Sequence, residues 1–173
     1  MQIPLFEPQS KWRPPAVLPE LDSVISIDLE THDPNIKKSG PGYKRRDGKV
    51  VGVAIADKHH QIYLPFDHFG GDNLDKQTIL SYVKCAINKA NEIIMANATY
   101  DLGWLETLGV TVSCPVRDIQ VAEALIDEEK FSYSLDSIAK KYLKKGKKED
   151  GLQNAADTYG INAKSDMWKL PAR

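Results

Sequence analysis

The spacing of apolar and polar positions divides the chain into strand-like runs in its first third and helix-like runs after that. SVISIDL (23–29) is rich in β-branched apolar residues and predicts a first strand. HDPNIKKSGPGYKRRDG (32–48) brings Pro, Gly and Asn in quick succession and reads as a loop. KVVGVAIAD (49–57) and QIYLPF (61–66), parted by the polar link KHH, predict a hairpin. Three neighbouring antiparallel strands are the simplest assembly of these runs. Within 73–90, Ile79, Tyr82, Val83, Ala86 and Ile87 fall on one helical face, with Asn73 or Asp75 as cap. EIIMA (92–96) predicts a short buried strand. NATYDLGWLETLG (97–109) predicts a helix with Asn97 as N-cap and Gly109 just past its end. Two amphipathic helices follow, one begun by Asp118 and one by Ser134. A basic turn, KKGKKEDG, then precedes a short helix around LQNAADTYG. The order β-β-β-α-β-α followed by helices predicts an α/β fold, a mixed β-sheet flanked by α-helices, with no internal repeat and no second core.

Residues 1–20 stand apart. Pro4, Pro8, Pro14, Pro15 and Pro19 exclude helix and central strand there. The segment reads either as an extended arm lying on the domain or reaching a partner, or as a disordered leader. At 173 residues and a net charge of −1, the chain has room for one real core and is not a broadly basic nucleic-acid binder, although a local basic track remains open. Cys85 and Cys114 are too few for a disulfide framework and read as core or near-core residues of a reducing compartment. No apolar stretch approaches the ~20 residues of a membrane span, and the Pro-rich start lacks a signal-peptide core. A soluble, cytoplasmic protein with no membrane partner is expected.

The chemistry begins where the first strand ends in acid. Residues two apart on a strand share a face, so Ser26, Asp28 and Glu30 lie together, opposite Ile25, Ile27 and Leu29. Two carboxylates side by side repel, and a divalent cation with oxygen ligands is the economical counter-charge. Acids near a strand end are more often simply solvated, and the second segment shifts that balance. On the helix of 97–109, Asp101 shares a face with Trp104, Leu105 and Leu108, which must pack on the sheet. Asp101 therefore points inward, where an unpaired carboxylate is expensive. An acid serving only the helix dipole would have no reason to take that direction.

SIDLET and NATYDLGWL resemble the first and second motifs of the DEDD 3′–5′ exonuclease superfamily. From about residue 12 onward the chain is similar to the proofreading exonuclease domain of family A, bacteriophage-type DNA polymerases. The loop GPGYKRRDGKVVGVAIA and the stretches RDIQVAEALIDE and YSLDSIAKKYL are part of that similarity. D-x-E on a strand is common, whereas N-x-x-Y-D opening a helix some way downstream is far more specific. The resemblance implies a ribonuclease-H-like fold with an N-terminal arm over 1–20 and the exonuclease-like domain over 21–173. It implies that Asp28, Glu30 and Asp101 hold two divalent metal ions, Mg²⁺ or Mn²⁺. It puts Asn97 and Tyr100, with Thr31 and His32, around the 3′-terminal nucleotide. For Asn97 the plain helix cap, and for Tyr100 a core position, stay open beside that role. The implied partner is the 3′ end of single-stranded DNA, whose bases would stack on aromatics and whose phosphates would follow basic residues. Lys44, Arg45, Arg46, Lys144, Lys145, Lys147 and Lys148 are candidates for the latter. The remainder of a DNA polymerase is a further expected partner, in a bacterial or phage-infected cell.

The superfamily's fourth carboxylate, from a third motif Y-x-x-x-D or H-x-x-x-x-D, is not found. Tyr43 with Asp47 and Tyr63 with Asp67 have the spacing but precede the second motif. Tyr133, Tyr142 and Tyr159 have no Asp four positions on. In similar sequences the third motif follows shortly after W-x-L-P-A, here MWKLPAR, so the domain is expected to be C-terminally incomplete. Weak or absent hydrolysis, with retained binding to single-stranded DNA or a protein, is then the alternative to an active exonuclease. An apolar face left uncovered would also favour a homo-oligomer.

Overall fold

β-branched and aromatic residues between turn-forming loops give three antiparallel strands: β1 (Val24–His32), β2 (Lys49–Ala56) and β3 (Gln61–Pro65). They belong to a computed structural model that describes residues 11–146 and 150–172. β4 (Glu92–Met95) adds parallel to the other side of β1, and β5 (Val116–Asp118) adds parallel to β4. The sheet is therefore mixed, in the order β3-β2-β1-β4-β5. The helices are α1 (Ile36–Ser39), α2 (Lys76–Lys89), α3 (Ala98–Thr107), α4 (Ile119–Ile126), α5 (Leu135–Leu143) and α6 (Asp150–Tyr159). A 3₁₀ turn, Met167–Lys169, follows them.

One face of the sheet carries the core. Ile25, Ile27 and Leu29 of β1 pack with Val53 and Ile55 of β2, beneath Ile79, Val83 and Ile87 of α2 and Trp104 and Leu105 of α3. Asp28 is exposed on the alternate positions of the same strand, as the period of two requires. The core helices start where side chains close their first turns: Asp75 accepts from Thr78 N, and Ser134 from Ser137 N.

Four expectations need correction. β1 runs on to His32, and the loop after it contains the single turn α1, which buries no side chain and so leaves no periodic signal. β5 is unforeseen because three residues are too few to show a period. Cys85 is exposed, on the outer side of α2, while Cys114 packs at the core margin. Asn97 occupies the N-cap position of α3 without capping it. Its backbone is left-handed, at φ 62°, a region that Asn tolerates better than most residues. The described part of the arm, 11–20, lies on the domain: Leu18 packs on the core, and Tyr82 donates to the Pro19 carbonyl at 2.7 Å.

Asp118, the last residue of β5, does the capping instead. Its carboxylate accepts from Asn97 N (3.2 Å) and Ala98 N (2.7 Å), closing α3 from across the sheet, and from Gln120 N (2.8 Å), closing α4. A negative group at two helix N-termini also suits both dipoles. Asp118→Ala is expected to destabilise the domain by about 1–3 kcal/mol in urea titrations, since two helix starts lose their acceptor. Asp118→Asn should recover most of that loss. An unchanged midpoint for the Ala variant would refute the double cap.

Candidate active site

The carboxyl ends of the parallel strands β1, β4 and β5 lie side by side, the position at which open α/β sheets form their crevices. β1 delivers Asp28, Glu30, Thr31 and His32 there, and the β4–α3 junction delivers Asn97, Tyr100 and Asp101. Register shifts between Glu30 and Thr31: Glu30 faces Gly52, and Thr31 faces Val50. The extra residue, Val51, is buried, and the bulge re-aims the end of β1.

Asp101 is 3% exposed, on the same helical face as buried Trp104 and Leu105. Burial pushes its carboxyl up to about 7. The neighbouring charges of Asp28, Glu30 and Asp118 push the same way, and the Leu29 N–H donated to it pulls back. Three acids thus act on a fourth. Among the described residues, no three His, Cys, Asp or Glu side chains close up tightly enough to hold a metal ion outright. Repulsion between like-charged carboxylates works against such closure. The donor set itself, carboxylate oxygens, suits a hard divalent cation.

Thr31 and Tyr100 meet: the hydroxyls of the two side chains lie 2.8 Å apart, and the Tyr100 O–H also lies 3.3 Å from Asp33 Oδ2. Asp33 in turn accepts from Gly42 N at 2.8 Å, which ties the 33–47 loop to the site. Asn97 is exposed, with its side chain outside the cap. His32 stacks on Trp168, ring centres 4.1 Å apart and planes at 25°. Burial, with Lys49 and Lys169 nearby, lowers its pKa and favours the neutral ring.

Two supports were not legible beforehand. A Cβ at Gly52 would stand 2.6 Å from the Tyr63 ring, so only glycine lets that ring lie across the sheet beside Glu30. Burial and the Glu30 charge both raise the Tyr63 pKa, keeping the phenol protonated. His68, buried, faces the Leu170 carbonyl through Nδ1 at 3.1 Å, so Nδ1 carries the proton and Nε2 accepts from Tyr63 O–H at 2.5 Å. Glu30 consequently floors a pocket of about 390 Å³ walled by Tyr63, His68, Leu152, Met167 and Leu170. The glycine in the middle of a strand run, and a histidine soon after it, were the available signals. The Y-x-x-x-D spacings have other uses: Asp67 pairs with Lys49, and Asp47 accepts from Arg45 and Asn35.

Comparison with known proteins fits this geometry. A profile of the 3′–5′ exonuclease family matches residues 16–170. The chain belongs to the 3′–5′ exonuclease domain family of family A DNA polymerases. It is 38% identical to a DNA-directed DNA polymerase of Pseudomonas phage M6, across all of this chain and 28% of that protein. It is 32% identical to the DNA polymerase DpoZ of Salmonella phage PMBT28, across 84% of this chain and 21% of that one. The chain thus spans about a quarter of the length of these relatives. Brucella melitensis NrnC with bound Mg²⁺ superposes with a TM-score of 0.54 at 18% identity, over 77% of this chain and 61% of NrnC. The exonuclease domain shares its ribonuclease-H-like fold with that neighbour.

Asp101 sets a pH dependence of stability. The folded state keeps this proton up to about pH 7, whereas an unfolded aspartate loses it near 4, so stability falls as pH rises between those values and is flat above. Asp101→Asn removes the penalty while keeping an oxygen for Leu29 N–H. Its stability relative to wild type is expected to grow by on the order of 3 kcal/mol between pH 5 and pH 8, at about 1.4 kcal/mol per pH unit of folded-state titration. A gap that does not widen between those pH values would mean that Asp101 ionises normally.

Proposed function

We propose that this chain is the proofreading module of a DNA polymerase and hydrolyses the 3′-terminal phosphodiester of single-stranded DNA. The observation that carries the reading is a buried Asp101 whose carboxyl is raised first by burial and then by the nearby D-x-E acids of β1. Asp28, Glu30 and Asp101 would hold two divalent metal ions, Mg²⁺ or Mn²⁺. When bound, such ions activate water and neutralise charge on the reacting phosphate. The chain's own side chains position and shield. Tyr100, fixed by Thr31 and Asp33, and the unused amide of Asn97 face the terminal nucleotide, with His32 on its stacked support. Tyr63, held protonated by burial and by the Glu30 charge and bonded to His68, walls the far side of Glu30.

A binding-only role is the second reading. It draws on the residues after Asp101 in this sequence, among which no Y-x-x-x-D or H-x-x-x-x-D occurs. One experiment separates the two. With Mn²⁺ and a 5′-labelled single-stranded oligonucleotide, wild type is expected to release mononucleotides from the 3′ end. Asp28→Asn and Asp101→Asn should each lose at least about 100-fold, the upper range seen when even an outer partner of a metal ligand is removed. Mn²⁺ should also raise the melting temperature of wild type at pH 8 and not that of Asp101→Asn. Oligonucleotide binding without release, at any Mn²⁺ concentration, would establish the second reading.

The apolar surface of this module needs a cover. A cleft of about 510 Å³ opens on the Asp28 face of the sheet, lined by Trp12, Ile62, Tyr63, Ile94, Ile119 and Leu135. Elsewhere Leu125 and Phe131 stand out into solvent. Exposed patches of this kind mark interaction surfaces. In a longer polymerase the rest of the chain would lie against it, and for this chain by itself we propose a second copy. Sedimentation at rising concentration is expected to show a dimer, and a strict monomer would exclude self-association.

A further inference from the structure

We infer a second nucleic-acid contact, a basic cleft between the 42–49 loop and α3 that takes the phosphodiester backbone of the single strand upstream of its 3′ end. This rests on the nuclease reading above and extends it from the terminal nucleotide to the strand behind it. The cleft, about 550 Å³, is bordered by four cations, Lys44, Arg46, Lys49 and Lys76, and floored by Tyr43 and Trp104.

The loop that forms it treats two adjacent arginines in opposite ways. Arg45 is consumed internally: its guanidinium donates to the carbonyls of Ser39 (2.5 Å), Gly40 (2.9 Å) and Pro41 (3.3 Å) and to Asp47 (2.9 Å). Arg45 is thereby withdrawn from the set of phosphate-tracking candidates. Arg46 points the other way, and its guanidinium makes no hydrogen bond or ion pair to the described residues. Its backbone sits at φ 57°, a costly conformation for a residue with a side chain, and Arg46 N donates to Gly42 O at 2.7 Å. The loop therefore uses one arginine for rigidity and presents the next from a fixed backbone position.

The other charges leave the cleft positive. Lys44 meets Glu106 only at 3.9 Å, with both side chains exposed, a pairing of little worth in water. Lys49 and Lys76 share a single acid, Asp67, at 2.7 and 3.7 Å. The floor is aromatic because glycine permits it. A Cβ at Gly103 would stand 2.6 Å from the Tyr43 ring, and one at Gly48 2.8 Å from the Trp104 ring. Cations spread along an open cleft, with half-buried Tyr43 beside them, match the repeating charge of a single strand.

Its placement joins it to the site. Tyr43 meets Trp104 edge-on with centres 6.1 Å apart, Trp104 meets Tyr100 at 6.3 Å, and Tyr100 bonds Thr31. Lys49 pairs in register with His32. Of the basic residues named from sequence, Lys44 and Arg46 lie here. Lys147 and Lys148 lie outside the described residues.

The test measures binding without cleavage: fluorescence anisotropy of labelled dodecathymidylate in EDTA, from 50 to 200 mM NaCl. For Lys44→Gln/Arg46→Gln, affinity at 50 mM is expected to fall about tenfold, and the slope of log K against log salt to become shallower by about 1.4, at about 0.7 per lost phosphate contact. Lys44→Gln alone should give half the change in slope, which keeps the test valid if the double variant misfolds. Lys37→Gln/Lys38→Gln removes equal charge from α1, outside the cleft, and is expected to leave the slope in place. Equal slopes for wild type and the cleft variant would overturn the proposal. So would an equal loss in the α1 variant, which would indicate diffuse attraction. If thymidine monophosphate displaces the dodecamer from wild type but not from the cleft variant, the cleft binds free mononucleotide and the proposal also falls. Wild-type binding that depends on the cleft would stand even if the chain released no nucleotides. Release of nucleotides with an unaltered slope would remove the cleft alone.

Discussion

Carboxylates gathered at the carboxyl ends of three parallel strands govern the rest of this domain. Asp101 is packed against the sheet by the same helical face that carries Trp104 and Leu105, and it stands where Asp28 and Glu30 also act. A fold that needed only stability would place an apolar residue there, because keeping this acid ionised opposes folding by on the order of 4 kcal/mol. Such a cost is characteristic of a site whose charge is meant for something bound.

The surrounding structure reads as the means of keeping those charges in place. Asp118 fastens two helix starts to the end of β5, so α3 cannot slide and carry Asp101 away from β1. The bulge at Glu30 turns the end of β1, and Gly52 opens room for the Tyr63 ring beside it. Farther out, buried Glu123 gathers Lys130, Lys141 (2.7 Å) and the Tyr142 hydroxyl (2.8 Å), which hold its carboxyl down at about 2 and pin α5 to α4. The Lys141 ammonium is correspondingly stabilised in its charged form. Breaking one partner of such a buried group costs far more than the group contributes when whole.

The 33–49 segment does two jobs. Asp33 ties it through Gly42 to Tyr100, and Arg45 stiffens it where it presents cations on its other side. The fixed backbone sets where Lys44 and Arg46 leave the loop, while their exposed side chains remain free to adjust.

Much of this was determined by sequence alone, because it depends on local period and spacing. The alternation in SVISIDL put Asp28 and Glu30 on one face, and the 3.6-residue period put Asp101 inward with Trp104. Both readings need only the geometry of one element, and the acid pair with N-x-x-Y-D downstream carried the family as well. What the tertiary structure decided depends on residues far apart in the chain. Asp118 capping α3 spans 20 residues, and His68 meeting Leu170 spans 102. Arg45 and Arg46 look alike in a basic run, and only the fold of the loop turns one inward and leaves the other at the cleft. β5 and α1 went unseen because elements of three and four residues are held by their neighbours rather than by any pattern of their own.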